Sequence, residues 1–357
     1  AKSGVSGCII AAIPGQIGIC VYAPPIDKQG NSLRGIAVCQ DVSREFQLHA
    51  FYNHTNVRSV LRRDYRADMV RSNRLRTSAE RTLLAEEGRS ISVLEAQGAL
   101  FFGSIEQLLR RLTILARDSK FLIVDFKRVH HADRAACKMI VRAVRAMAAS
   151  DTELVFASID NEGSLDRLTR ALAESQEGHE MRQFRDVDAA LEWCEDQILT
   201  SDGSGAGTKF SLHQINLFDG LSPEECRLVE GIVRPLVFEK GDVIMREGDP
   251  AKLFFVLARG TVSVEIQLHD KPGKYKRVAS IGPGLTFGEM ALLDGGKRSA
   301  DVIANEKVIC YGLGVEELHE LAEENPNVMI TILGNLTREF SERPVSYTHL
   351  TLPTICF

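Results

Sequence analysis

The eight cysteines of this sequence, at 8, 20, 39, 137, 194, 226, 310 and 356, include no C-x-x-C pair. That spacing builds neither a disulfide scaffold nor a zinc site, and it reads as reduced thiols in a cytoplasmic protein. A strong charge of one sign is also missing. The formal net charge is −5, which argues against general nucleic-acid binding. One uncharged run occurs, GCIIAAIPGQIGICVYAPPI from Gly7 to Ile26, but Pro14-Gly15-Gln16 interrupts it midway. Two short strands about a tight turn fit this run better than a membrane-spanning helix, so no membrane is expected as a partner. The chain opens without Met and without a basic leader. A signal peptide is therefore not expected, and a truncated start is.

The 357 residues are enough for two or three domains, and a hydrophobic content of 44% supports packed cores. Residues 1–53 give a hairpin and then the helix SLRGIAVCQDVSREFQLHAF, with Leu33, Ile36, Ala37 and Val42 on an apolar stripe. Residues 54–84 change character, with eight arginines and three acids between 54 and 81. This stretch reads as a solvated helical connector in which Asp64 and Asp68 pair with neighbouring arginines. A contact between domains or within an oligomer is the other reading.

Residues 85–200 alternate strand-like runs (ISVLEAQGALFF, FLIVDF, ELVFASI) with amphipathic helices, the pattern of a sheet with parallel pairs covered by helices. SDGSGAGT marks a flexible linker over residues 201–209. Residues 210–343 hold short β runs punctuated by glycine and bracketed by helices, as in a small barrel or jelly roll. The fold class is thus multidomain α+β: hairpin plus helix, an α/β domain, then a β-roll with flanking helices.

The stretch FGEMALLDGGKRSADV, residues 287–302, places Glu289 after Gly288, an apolar turn at Met290 and Ala291, and Arg298-Ser299 beyond a DGG loop. Glycine lets backbone approach a ligand closely. A short helical turn offers free N–H groups to an anion, and a guanidinium makes a two-pronged phosphate contact. A carboxylate cannot bind phosphate and needs a donor such as a ribose hydroxyl. A cyclic nucleotide has both groups side by side.

This stretch resembles the phosphate-binding cassette of the cyclic nucleotide-binding domain family, and the similarity extends over about residues 210–343. The resemblance implies that Glu289 holds the ribose 2′-hydroxyl, that Arg298 holds the cyclic phosphate, and that Gly288, Met290, Ala291 and Ser299 line the site. Arg-Ser-Ala is similar to the bacterial catabolite activator version and implies cyclic AMP. A hydroxyl at Ser299 also suits the guanine amino group of cyclic GMP. Lys297 stands where many members have proline.

AKSGVSG opens the chain, and AAIPGQIGICVYAPPIDKQGNSLRGIAVCQDVSREFQLHAF continues it. The first resembles the K-[ST]-G box of serine-reactive β-lactamase-like folds, and the whole resembles the C-terminal end of glutaminases. The resemblance implies that Lys2, Ser3 and Gly4 form the box and that Val5 contacts glutamine through its backbone. The family's nucleophile lies in S-x-x-K, and no lysine here has serine three positions before it. Catalytic residues are therefore expected to be absent, and this chain is expected to be inactive.

Residues 85–200 resemble the STAS domain, with VHHADRAACKMI after FLIVDF. The family's D-[ST]-[ST]-G loop carries a phosphorylatable hydroxyl. Here Asp133 remains as an N-cap, but Arg134, Ala135 and Ala136 offer no hydroxyl. His130-His131 suggests no metal site, because adjacent side chains diverge.

The tail VSYTHLTLPT resembles the translation of a sequencing adapter, so residues 344–357 are expected to be foreign. Taken together, the resemblances imply the C-terminal part of a long glutaminase. It would be a homo-oligomer with no cofactor, a regulatory cyclic nucleotide, a STAS partner of unstated kind and no nucleic-acid partner. The alternative is a cyclic nucleotide-responsive regulatory or scaffold protein without catalysis.

Overall fold

The computed structural model describes residues 2–3, 6–13, 17–24, 26–28, 30–45, 60–147, 150–159, 165–174, 182–201, 212–267, 275–289 and 297–342. The chain forms two compact units. One comprises residues 1–71 and 87–194, the other residues 72–86 and 195–357. Among the described residues no helix is long and apolar enough to cross a membrane. The tail from 344 lies outside the described residues.

The uncharged run forms the expected hairpin. Strands β1 (Lys2–Ser3), β2 (Cys8–Ile13) and β3 (Ile17–Tyr22) make an antiparallel sheet in that order. Helix α1 (Leu33–Glu45) follows, but its inward face is not the expected stripe. Leu33 and Ala37 are exposed, and Gly35 is the buried residue. A Cβ on Gly35 would come within 2.9 Å of the Ile9 side chain and 2.8 Å of Ser32 Oγ. Close backbone approach, which only glycine permits here, sets the helix orientation ahead of side-chain hydropathy.

The arginine-rich stretch is not a helical connector. Residues 61–66 form strand β4 (Leu61–Arg66), Arg74–Leu75 form β5, and only from Ser78 does a helix begin, α2 (Ser78–Glu87). Strand β4 pairs antiparallel with β6 (Ile91–Leu100), the start of a five-stranded sheet. This sheet runs β4-β6-β7-β8-β9, with β7 (Phe121–Ala132), β8 (Glu153–Ala157) and β9 (Arg182–Phe184) parallel to β6.

Between these strands run α3 (Phe102–Ala116), α4 (Arg134–Met147) and α5 (Asp166–Glu174), and α6 (Val187–Ser201) follows β9. Leu94, Val124, Phe126 and Phe156 of the sheet pack with Ile105, Leu108, Leu112, Ile140 and Leu168 of the helices.

The arginines serve as partners across elements. Glu95 on β6 takes hydrogen bonds from Arg62 and Arg63. Burial pushes its carboxyl up, but these two cations outweigh burial and hold it below the usual range. Asp64, on the extended β4, pairs with Arg111, and Asp68, in the turn after it, pairs with Arg89, not with helical neighbours.

The second unit begins with Ser72. After 3-10 turns at Leu212–Gln214 and Asn216–Phe218 and helix α7 (Pro223–Ile232), it builds two facing sheets. One runs β10 (Arg234–Phe238), β17 (Val308–Gly314), β12 (Leu253–Arg259), β15 (Thr286–Phe287). The other runs β11 (Val243–Met245), β16 (Asp301–Ala304), β13 (Val262–Gln267), β14 (Tyr275–Ile281) and, at its edge, β5. Helices α8 (Val315–Glu324) and α9 (Pro326–Glu342) close it. Phe255, Leu257, Val262, Ile281 and Phe287 lie in the core between the sheets.

Strand β5 is parallel to β14, with Arg74 opposite Ser280 and Leu75 opposite Ile281. A buried ion cluster fixes it. Arg74 Nη1 lies 2.6 Å from Asp196 Oδ2, Arg76 Nη1 lies 2.6 Å from Asp196 Oδ1, and Arg76 Nη2 lies 3.0 Å from Glu195 Oε2. Ser72 donates to Glu195 from its backbone N–H at 2.9 Å and its hydroxyl at 2.6 Å. Burial works against the charged form of Arg76, but Asp196 and Glu195 outweigh it and its pKa rises.

Arg76→Ala would leave two carboxylates without their shared guanidinium, and breaking such a pair costs about 3–5 kcal/mol. The expected outcome is a lower urea midpoint, with faster hydrogen exchange in β14 and the end of α6. Arg76→Lys should recover only part, since an ammonium lacks the planar fork.

Candidate functional site

The site in the second unit is assembled by turns. Gly284, at φ +86°, donates its N–H to Leu257 O at 2.7 Å, and Leu257 returns a bond to Leu285 O at 2.9 Å. This seats β15 against β12, where the rings of Phe255 and Phe287 stack with centroids 5.1 Å apart.

Gly288 then turns the chain at φ +73°. A Cβ there would sit 2.6 Å from Arg298 Nη1, so a hydrogen is what the packing leaves room for. Arg298 arrives from the other side, tied to the turn before β12. Its N–H donates to Asp249 O, its carbonyl accepts from Gly248, both at 2.9 Å, and Lys297 bridges Pro250.

The guanidinium of Arg298 donates to Gly288 O at 3.0 Å and to Leu253 O, and lies 5.7 Å from the Phe255 ring centre. Arg298 is 8% exposed and Glu289 5%. Burial pushes the Arg298 pKa down, and the charges of Glu289 and Asp249 pull it back up. Among the described residues no carboxylate makes an ion pair with Arg298. Among the described residues this buried cation donates to two carbonyls and lies by an aromatic face, with the charges of Glu289 and Asp249 near it. That arrangement suits an anion.

Of the sequence-predicted residues, the structure brings Gly288, Glu289 and Arg298 together. Met290 and Ala291, and the expected helical turn they belong to, lie outside the described residues. Ser299 is exposed.

Sequence reasoning missed Phe255 and Glu339. Glu339 on α9 accepts from Thr286 N at 3.1 Å and from Thr286 Oγ1 at 3.0 Å, which joins the last helix to the strand leading into the site. Neither had a local signal, because each partner is far away along the chain.

In the first unit, Lys2 and Ser3 form β1, opposite Ile10 and Ile9 of β2. Gly4 and Val5 lie outside the described residues. Asp133 caps α4 as expected: Oδ1 accepts from Ala136 N at 2.6 Å and Oδ2 from Phe102 N at 3.4 Å. Ala135 and Ala136 are buried. His130 and His131 are exposed, and among the described residues no cluster of three metal-ligating side chains occurs.

Gly288→Ala should displace the Arg298 guanidinium, and a side chain in the left-handed region adds about 1–2 kcal/mol of backbone strain. The expected outcome is a lower melting temperature even without ligand. An unchanged melt would show that the turn has room to relax.

Comparison with known families matches residues 1–51 to Glutaminase, residues 82–175 to the STAS domain and residues 235–325 to the Cyclic nucleotide-binding domain. Glutaminase 2 of Bradyrhizobium diazoefficiens is 31% identical over 348 residues, covering 97% of this chain and 54% of that protein. Glutaminase 1 of the same organism is 31% identical over 346 residues, covering 96% and 55%. The chain thus spans about half the length of these relatives. Cyclic AMP receptor protein of Thermus thermophilus is 33% identical over 126 residues, covering 35% of this chain and 57% of that protein. The chain therefore carries, in order, a glutaminase-family segment, a STAS domain and a cyclic nucleotide-binding domain.

Proposed function

We propose that this chain is the regulatory part of a glutaminase, an enzyme that converts glutamine and water to glutamate and ammonia, and that its second unit senses cyclic AMP. The observation that carries the reading is the buried, carbonyl-held Arg298 beside Gly288 and Glu289. An anion entering there gains a desolvated guanidinium already fixed in direction, and little reorganisation remains to be made. Glu289 supplies the acceptor for a ribose 2′-hydroxyl. Likeness to a protein named as a cyclic AMP receptor supports adenine over guanine. The STAS domain binds a partner in the assembled enzyme, and its loop at Asp133-Arg134-Ala135-Ala136 offers no hydroxyl to a kinase. Without S-x-x-K in its sequence, the chain by itself releases no ammonia from glutamine.

Calorimetric titration with cyclic AMP and cyclic GMP tests the site. Removing one partner of a buried charged contact costs about 2–5 kcal/mol, so Arg298→Ala should weaken cyclic AMP binding roughly 30-fold or more. Glu289→Ala should lose less and narrow the gap between ribose and 2′-deoxyribose ligands. Equal affinity of the unaltered chain and Arg298→Ala would refute the assignment, and tighter binding of cyclic GMP would refute only the base preference.

A further inference from the structure

Among the described residues, one face of the first unit's hairpin lies against α1 and the other is exposed. Ile9 is buried on the covered face, and Ile10 and Tyr22, 58% and 68% exposed, lie on the other. Cys8 opposes Tyr22 and Cys20 opposes Ile10. Directly opposed residues share a face of the sheet, as do residues two apart along a strand. The two cysteines are therefore diagonal neighbours on the exposed face. Their sulfurs lie 3.5 Å apart in a mutual thiol hydrogen bond. Cys20 is exposed and Cys8 partly so, whereas Cys137, Cys194 and Cys310 are buried.

We propose that Cys8 and Cys20 form an oxidisable dithiol site, closed to an intramolecular disulfide by a peroxide. The more exposed Cys20 sulfur attacks one peroxide oxygen. The O–O bond breaks, water leaves and a sulfenic acid remains. The Cys8 sulfur then attacks the Cys20 sulfur, the S–O bond breaks, and the hydroxide leaves with the Cys8 proton as a second water. Two thiols are oxidised to one disulfide, and one hydrogen peroxide is reduced to two waters.

Closing the bond requires the sulfurs to approach from 3.5 Å to about 2.05 Å; diagonal neighbours lie about 7–8 Å apart, so β2 and β3 must also draw together at this point as the bond forms. The site has a structural consequence. Lys2 opposes Ile10, and Ile10 opposes Cys20, so the new bond fastens β2 and β3 together behind the strand that bears the K-S-G box.

The test is a challenge of the reduced, purified chain with stoichiometric hydrogen peroxide, followed by alkylation and tryptic mass mapping without reductant. Peptide 3–28 holds both cysteines and no internal Lys or Arg. The expected result is that it loses both alkyl groups and weighs about 2 Da less than the unalkylated dithiol form, and that dithiothreitol reverses the change. Cys8→Ser should leave Cys20 as a trappable sulfenic acid with no such peptide, and Cys20→Ser should leave Cys8 alkylated. Full alkylation of both cysteines after peroxide, progression of Cys20 to a sulfonic acid in the unaltered chain, or pairing of either with Cys39 or with a second chain would each overturn the proposal.

Discussion

The buried cluster of Arg74, Arg76, Glu195 and Asp196 is the constraint on which the second unit depends. It joins residues that lie on either side of the STAS domain in the sequence, with Arg74, Arg76 and Glu195 almost wholly out of water and Asp196 partly so. Charges so placed are tolerable only when each is matched by another and by hydrogen bonds. Here one guanidinium spans two carboxylates, a second guanidinium shares Asp196, and Ser72 fills the remaining sites on Glu195. Removing any one member strands the others. The strand that the cluster anchors covers the edge of β14, which otherwise would present unpaired backbone groups.

The same rule, that a buried charge must be answered, separates this cluster from Arg298. The cluster is neutralised internally and is structural. Among the described residues Arg298 donates to two carbonyls and lies by a phenyl face, with the charges of Glu289 and Asp249 near it. The difference between the two therefore lies in what surrounds the guanidinium, since burial is similar in both.

Much of this was legible along the chain because the chemistry is local there. Gly288, Glu289 and Arg298 occur within a short stretch, and the hairpin announces itself by an apolar run broken at Pro14-Gly15. Asp133 reads as a cap from its place before an amphipathic helix. What was not legible depends on distant partners. Arg62, Arg63, Arg66, Arg74 and Arg76 look like part of a solvated helix until Glu95, Asp118 and Asp196 are brought beside them. The inward face of α1 follows from Gly35 fitting against Ile9, and hydropathy scores glycine as nothing. Glu339 reaches Thr286 across 53 residues, and no periodicity foretells that contact.

The position of β5 has a consequence for how the molecule is made. Arg74 and Leu75 leave the ribosome roughly 200 residues before Ser280 and Ile281, the partners they pair with, and synthesis delivers domains in order from the N-terminus. On that order, Glu195 and Asp196 are made before Ser280 and Ile281 and are there for Arg74 and Arg76 to pair with. The ion pairs that hold β5 involve no residue after Asp196. An edge of the β-roll's sheet is thus specified by residues made before the roll itself.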